Sequence, residues 1–140
     1  MLSKMQKLLT IIAVILLAAT TTNAQNMLGA DYATVKETYK EYNNELTDIK
    51  EGITKNGVPF ISYTHKDDEY GMHCFFQNGY VVKYVISDVE DKANYYAKIF
   101  NAEFVPMTKN VWIDHEANCT WILEVEDGMV FLQAYQNDKD

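Results

Sequence analysis

The chain has 140 residues and a formal net charge of −8 at pH 7, with 20 acidic residues, 12 lysines and no arginine. This length is typical of one domain. Because an acidic surface without arginine is repelled by phosphate backbones, the composition argues against nucleic-acid binding.

The first 24 residues have the pattern of a secretion signal. Two lysines make the start positive, residues 8–19 are apolar, and residues 22–24 place small side chains where a signal peptidase cuts. The apolar run is shorter than the roughly 20 residues that cross a bilayer. We therefore expect residues 25–140 to form one periplasmic or secreted α+β domain without a membrane span, the alternative being a retained N-terminal anchor. Removal of the two lysines gives this domain a formal charge of −10.

An amphipathic helix is predicted after Asp31, which has the residue type of a helix N-cap. Apolar side chains follow at helical spacing and end before Gly52. This stripe consists of Tyr32, Val35, Tyr39, Tyr42, Leu46 and Ile49.

Three strands are predicted next, at 58–64, 70–77 and 80–86. Ser87 and Glu90 have the spacing of a capping box, which predicts a second helix that begins at Ser87. Three further strands follow, at 104–113 (with an interruption allowed), 119–126 and 129–135.

The dipeptides Asn78-Gly79 and Asp127-Gly128 predict two hairpin turns. Both central residues of a type I′ turn need positive φ, and Asn-Gly and Asp-Gly are the pairs that this turn prefers. The predicted order is α-βββ-α-βββ, with two helices packed on a mainly antiparallel meander sheet. The matching hairpins allow two interpretations. The chain is either a structural duplication or two ordinary meanders with similar turns.

A resemblance rests on Leu28-Gly29 ahead of a capped helix, on Asn-Ala-Glu-Phe at 101–104, and on Val111-Trp112 before a final hairpin. In these features the chain resembles a group of small secreted bacterial α+β domains over most of residues 27–135. More distantly, it is similar to the β-lactamase-inhibitor-protein and outer-membrane-assembly small-lipoprotein type of domain. The resemblance implies a fold and a compartment, and no catalytic residues.

The candidates for metal ligands are His65, Asp67, Asp114 and His115, in two polar segments between strands. Neither segment has the spacing of a zinc or calcium site, so we interpret them as solvated turns and expect no metal or cofactor. No catalytic residue is assigned either, because His73 and Cys74 are neighbours in one strand and point to opposite faces.

The remaining cysteine is Cys119, and the sequence leaves open whether it forms a disulfide with Cys74 or whether both are free core thiols. Strand aromatics supply the other candidate site. Most of these aromatics are expected in the core beneath the two helices. The alternative is an exposed sheet face that binds a partner, with Tyr63, Phe75, Tyr84 and Trp121 as its candidate residues.

The favoured hypothesis is a non-enzymatic module that binds an unidentified protein or peptide. The alternative is a small-molecule or polysaccharide binder that uses an aromatic sheet face, and an enzyme ranks third.

Overall fold

The computed structural model describes residues 27–42, 47–65 and 70–138. Within these ranges the domain is α+β, with two helices and one eight-stranded antiparallel sheet. A short 3₁₀ turn, Glu90–Lys92, precedes the second helix. The helices and strands are α1 (Tyr32–Tyr42), β1 (Thr47–Ile53), β2 (Pro59–His65), β3 (Gly71–Gln77), β4 (Tyr80–Val89), α2 (Ala93–Glu103), β5 (Val105–Thr108), β6 (Val111–Asp114), β7 (Cys119–Glu126) and β8 (Met129–Gln136).

The order of elements is α-ββββ twice rather than α-βββ twice. The predicted first helix was too long, because Ile49 lies in β1, where it pairs with Tyr63 of β2. Leu46, also predicted in the helical stripe, lies outside the described residues. The predicted strand 104–113 divides into β5 and β6 around a turn at residues 109–110.

The start of the second helix also differs from the prediction. Ser87 is a strand residue, since β4 continues to Val89 and pairs there with Met129 of β8. The pairing with β8 competes with helix formation at this point and keeps residues 87–89 extended. The N-cap of α1, in contrast, is confirmed, because the amide of Thr34 donates a 2.7 Å hydrogen bond to the Asp31 carboxylate.

Both predicted hairpin turns are confirmed by their backbone angles. Asn78 and Gly79 have φ of 55° and 83°, and Asp127 and Gly128 have φ of 52° and 78°. Positive φ at both central residues is the signature of the type I′ turn, whose twist matches that of the flanking strands.

The strand order β1-β2-β3-β4-β8-β7-β6-β5 is symmetric about its centre. There β4 and β8 pair antiparallel, so the two α-ββββ units are related by an approximate two-fold axis through the Val85–Gln133 pair. The helices match too. Each has 11 residues, and the buried Val35 and Tyr39 of α1 occupy the same helical positions as Tyr96 and Phe100 of α2. The fold therefore supports the interpretation of the chain as a structural duplication.

Both helices pack on the same face of the sheet, which we call the covered face. Tyr39 of α1 contacts the Tyr63 ring at 5.6 Å, and Phe100 of α2 contacts the Trp121 ring at 5.0 Å. Tyr84 lies between these two contacts on β4 and is 6.1 Å from Trp121. The opposite side, the open face, carries no described helix, and the main hydrophobic cluster lies between the sheet and the two helices.

We expect Gly79→Val and Gly128→Val each to destabilise the fold by about 1–3 kcal/mol, because a β-branched residue is strained at positive φ. A Cβ at either position meets no atom within 4 Å, so a loss of stability would report backbone strain rather than a clash. Denaturant unfolding measures the effect.

The matched controls are Gly79→Asn and Gly128→Asn, because asparagine tolerates the left-handed region better. They should lose clearly less stability. Equal losses for valine and asparagine would show that these turns do not depend on positive φ.

Candidate functional site

The open face carries a line of large side chains across four adjacent strands, which we call the aromatic row. Cα register places these residues directly opposite one another, so their side chains lie on the same face. All of them are half-buried rather than covered. The aromatic row consists of Phe60, Phe75, Lys83 and Tyr135.

Lys83 lies between two rings of the row. Its Nζ atom is 5.5 Å from the Phe75 centroid and 5.5 Å from the Tyr135 centroid, within the range of cation–π attraction. Phe60 extends the row, with its ring 6.3 Å from that of Phe75. No carboxylate among the described residues forms an ion pair with Lys83. The row is thus an apolar surface with one fixed positive charge.

A histidine bridged by two serines lies beside the row. His73 Nδ1 is 2.9 Å from the Ser62 hydroxyl, and its Nε2 is 3.0 Å from the Ser87 hydroxyl. Gly71 leaves space for this arrangement, since a Cβ there would lie 2.8 Å from Nε2. The three side chains link β2, β3 and β4 across the open face.

Burial lowers the pKa of His73, so the imidazole is mainly neutral at pH 7. One ring nitrogen then donates to one serine, and the other accepts from the second serine. A serine beside a histidine resembles a nucleophile and its base, but acyl transfer also needs free donors for an oxyanion. Because β3 lies between β2 and β4, its backbone amides donate the hydrogen bonds of the sheet and are not free to bind an oxyanion. We therefore interpret the group as a cross-strand clamp.

The covered face holds the other reactive side chain. Cys74 Sγ is 3.1 Å from the Tyr39 hydroxyl, and burial raises the pKa of this thiol to about 12. Cys119 is also fully buried, and no disulfide joins Cys74 to Cys119. A thiol that stays protonated is a poor nucleophile.

A buried carboxylate also joins helix to sheet on the covered face. Asp88 of β4 accepts a 2.8 Å hydrogen bond from the Tyr96 hydroxyl of α2 and another from the amide of Val89. Its position beneath the helix gives Asp88 a structural role.

The four aromatics predicted as a partner face do not share one exposed surface. Tyr63, Tyr84 and Trp121 are 3 %, 0 % and 4 % exposed and lie beneath the helices. Phe75 lies on the open face, together with Phe60 and Tyr135, which were not among the residues predicted for the site. Because successive residues of a strand point to opposite faces, the sequence predicts that Phe75 lies on the other face from Cys74 and Phe76. It does not predict which of the two faces the helices cover.

The metal-ligand candidates are far apart. His65 ends β2 at one end of the sheet. Asp114 ends β6 at the other end and His115 follows it, because the two-fold axis reverses the second unit. Four strands separate β2 from β6, or about 24 Å centre to centre. Asp114 instead accepts hydrogen bonds from the amides of residues 116 and 117. Asp67 lies outside the described residues.

Among residues 27–42, 47–65 and 70–138, no group of three or more His, Cys, Asp or Glu side chains is arranged to hold a metal ion. None of the helices in these ranges has the length and apolar character to cross a membrane.

Comparison with known proteins found no matching family model, no matching curated protein and no matching solved structure. The geometry of the open face is therefore the basis for any functional proposal.

We expect both thiols to resist a thiol-specific disulfide reagent in the native protein at pH 8, because both are buried and Cys74 stays protonated. After denaturation without reductant, both should react. Colorimetric counting of thiols checks this. Rapid native labelling would contradict the burial, and absence of thiols after denaturation would show a disulfide.

His73 should make the protein less stable in mild acid. Its pKa is lowered in the folded state, so the unfolded chain takes up the proton at higher pH. The free energy of unfolding should therefore fall as the pH drops from about 7 to about 5. We expect His73→Gln, which retains one donor and one acceptor, to give a shallower fall than the parent.

Denaturant unfolding at several pH values measures this slope. His115→Gln, at an exposed turn position, is the matched control. An unchanged slope in His73→Gln would contradict the proposed neutral state of the clamp.

Proposed function

We propose that the protein is a non-enzymatic binding module, exported to the periplasm or secreted, whose open face docks a protein or peptide. The observation that carries this proposal is an eight-stranded sheet with both helices on one side and the aromatic row on the other. Half-buried rings on a face without a described cover are typical of interaction surfaces.

The size of the open face supports a macromolecular partner. Eight strands at about 4.8 Å spacing span about 38 Å, and strands of about seven residues are roughly 23 Å long. The resulting surface, on the order of 850 Å², corresponds to one side of a standard protein–protein interface, about 800 Å².

The side chains at the middle of this face also support protein recognition. Tyrosine and phenylalanine are enriched at interface centres, where they bury large areas at a low cost in side-chain entropy. Phe75 and Tyr135 lie in the row next to the central Val85–Gln133 pair, and the serine–histidine clamp links three neighbouring strands by side-chain hydrogen bonds. A prearranged surface loses little entropy on binding.

The two halves of the chain differ in a way that supports the same face. On the covered face, Tyr63 corresponds to Trp112, and both are buried aromatic residues. On the open face they differ in chemistry: Phe75 corresponds to Glu124, and Lys83 corresponds to Phe131. The two halves of the open face therefore present different side chains to a partner, whereas the two halves of the core are more alike.

Polysaccharide binding is the second candidate, because the aromatic row could stack against sugar rings. The rings of Phe60 and Phe75 are inclined to each other by 42°, so they do not form the flat platform that favours such stacking. This inclination suits the uneven surface of a protein better.

The test compares Phe75→Ser with Val125→Ser. The control also replaces an apolar side chain by serine, but Val125 does not lie on the open face, and its side chain is 46 % exposed. Each mature protein is immobilised and exposed to proteins from its source organism's exported fraction. Each captured protein is then purified and titrated. We expect Phe75→Ser to weaken its binding by about tenfold or more, and Val125→Ser to leave it unchanged.

Thermal unfolding of both variants checks that they are folded. Equal effects of the two substitutions would contradict docking through the open face. Retention on polysaccharide columns that depends on Phe75, without a bound protein, would favour the second candidate.

A further inference from the structure

We infer that the segment of the partner that covers the aromatic row carries an acidic side chain, which pairs with Lys83. This inference rests on the proposed function and specifies the chemistry of the partner at that site. Its basis is the position of one ammonium group in the middle of an otherwise apolar row.

The sheet fixes the position of Lys83. It lies in β4, at the centre of the sheet, and its Cα partners on the neighbouring strands are Phe75 and Tyr135. The rings on both sides keep Nζ above the row. When a partner covers the face, the ammonium group of Lys83 therefore cannot easily move to the rim of the interface.

Covering this row removes water from the ammonium group. A charge that is buried without a counter-ion is strongly unfavourable, and a ring face replaces only part of the lost hydration. No described carboxylate pairs with Lys83, so the part of the chain that the structure describes does not supply the missing charge. The partner has to supply it, and a carboxylate does so through a charge-assisted hydrogen bond.

The surroundings of Lys83 specify the neighbours of that acid. Phe60 and Phe75 lie on one side and Tyr135 on the other, so apolar partner side chains are expected beside the acidic one. The chain as a whole has a net charge of −8, which repels acidic molecules at long range. Recognition of the acid is therefore local to the row, and a uniformly acidic partner is disfavoured.

The test selects random heptapeptides displayed on phage against three immobilised mature proteins: the parent, Lys83→Met and Lys98→Met. Lys98 is an exposed residue of α2, on the covered side of the sheet, and is the matched control. The parent and Lys98→Met should enrich peptides with one Asp or Glu between apolar residues. Lys83→Met should lose the preference for the acid.

A selected peptide and its Glu→Gln (or Asp→Asn) version are then synthesised and titrated by fluorescence anisotropy. For the parent, the amide version should bind at least about tenfold more weakly, whereas for Lys83→Met the two should differ by less than about twofold. Phe75→Ser should weaken both versions. Melting temperatures confirm that each variant is folded, with Lys83→Gln as a second variant.

Three outcomes overturn the inference. The first is that the parent and Lys83→Met select the same acidic motif. The second is that the parent selects peptides that lack an acid but still require Phe75. In both cases the open face binds peptides, but Lys83 does not determine which peptide is bound. If no selected peptide depends on Phe75, the proposed function fails together with the inference.

Discussion

The pairing of β4 with β8 is the interaction on which the rest of the structure depends. Each α-ββββ unit has an edge strand on one side, β1 or β5, and would leave β4 or β8 as an unpaired edge on the other. Their antiparallel pairing, from Lys83–Tyr135 to Val89–Met129, removes both edges and produces one sheet of eight strands. Exposed edges favour aggregation, so this junction also protects the fold.

The same junction determines where functional side chains can meet. An axis perpendicular to the sheet places both helices on one face and equivalent turns at opposite ends. This is why His65 and Asp114, which occupy equivalent strand ends, cannot share a metal ion. It is also why no described helix lies on the opposite face, which carries the aromatic row. One topological constraint therefore argues against a metal centre that joins these turns and favours a broad binding surface.

Local signals in the sequence predicted local structure well. The Asn78-Gly79 and Asp127-Gly128 turns and the Asp31 cap depend on the chemistry of one or two residues, and all three are confirmed. Ile49 and Ser87 were assigned incorrectly because strand pairing, a long-range interaction, prevailed over a helical spacing and a capping-box pattern. Pairing partners cannot be read from the segments themselves.

The face of each strand was harder to predict, because it depends on which side the helices cover. A strand that is apolar on both sides, such as β4, gives no indication of that side. The sequence therefore identified the aromatic residues of the strands, but it could not separate Phe75 on the open face from the buried Tyr63, Tyr84 and Trp121.

A β-bulge is responsible for the position of Lys83. The Cα partner of Phe76 is Val81, whereas that of Phe75 is Lys83, so Val82 is an extra residue in β4. Without the bulge, Phe75 would pair with Val82, and Lys83 would lie opposite Cys74 on the covered face, because a shift of one residue reverses every side chain. Tyr84, now fully buried, would then lie on the open face.

The equivalent hairpin of the second unit, β7–β8, has no such irregularity, since Val125 pairs with Val130 and Glu124 with Phe131 in continuous register. The bulge thus distinguishes the first unit from the second at one position. It buries Tyr84 in the core and brings a lysine between two aromatic rings on the open face. One inserted residue in β4 accordingly both completes the core and creates the charged centre of the aromatic row.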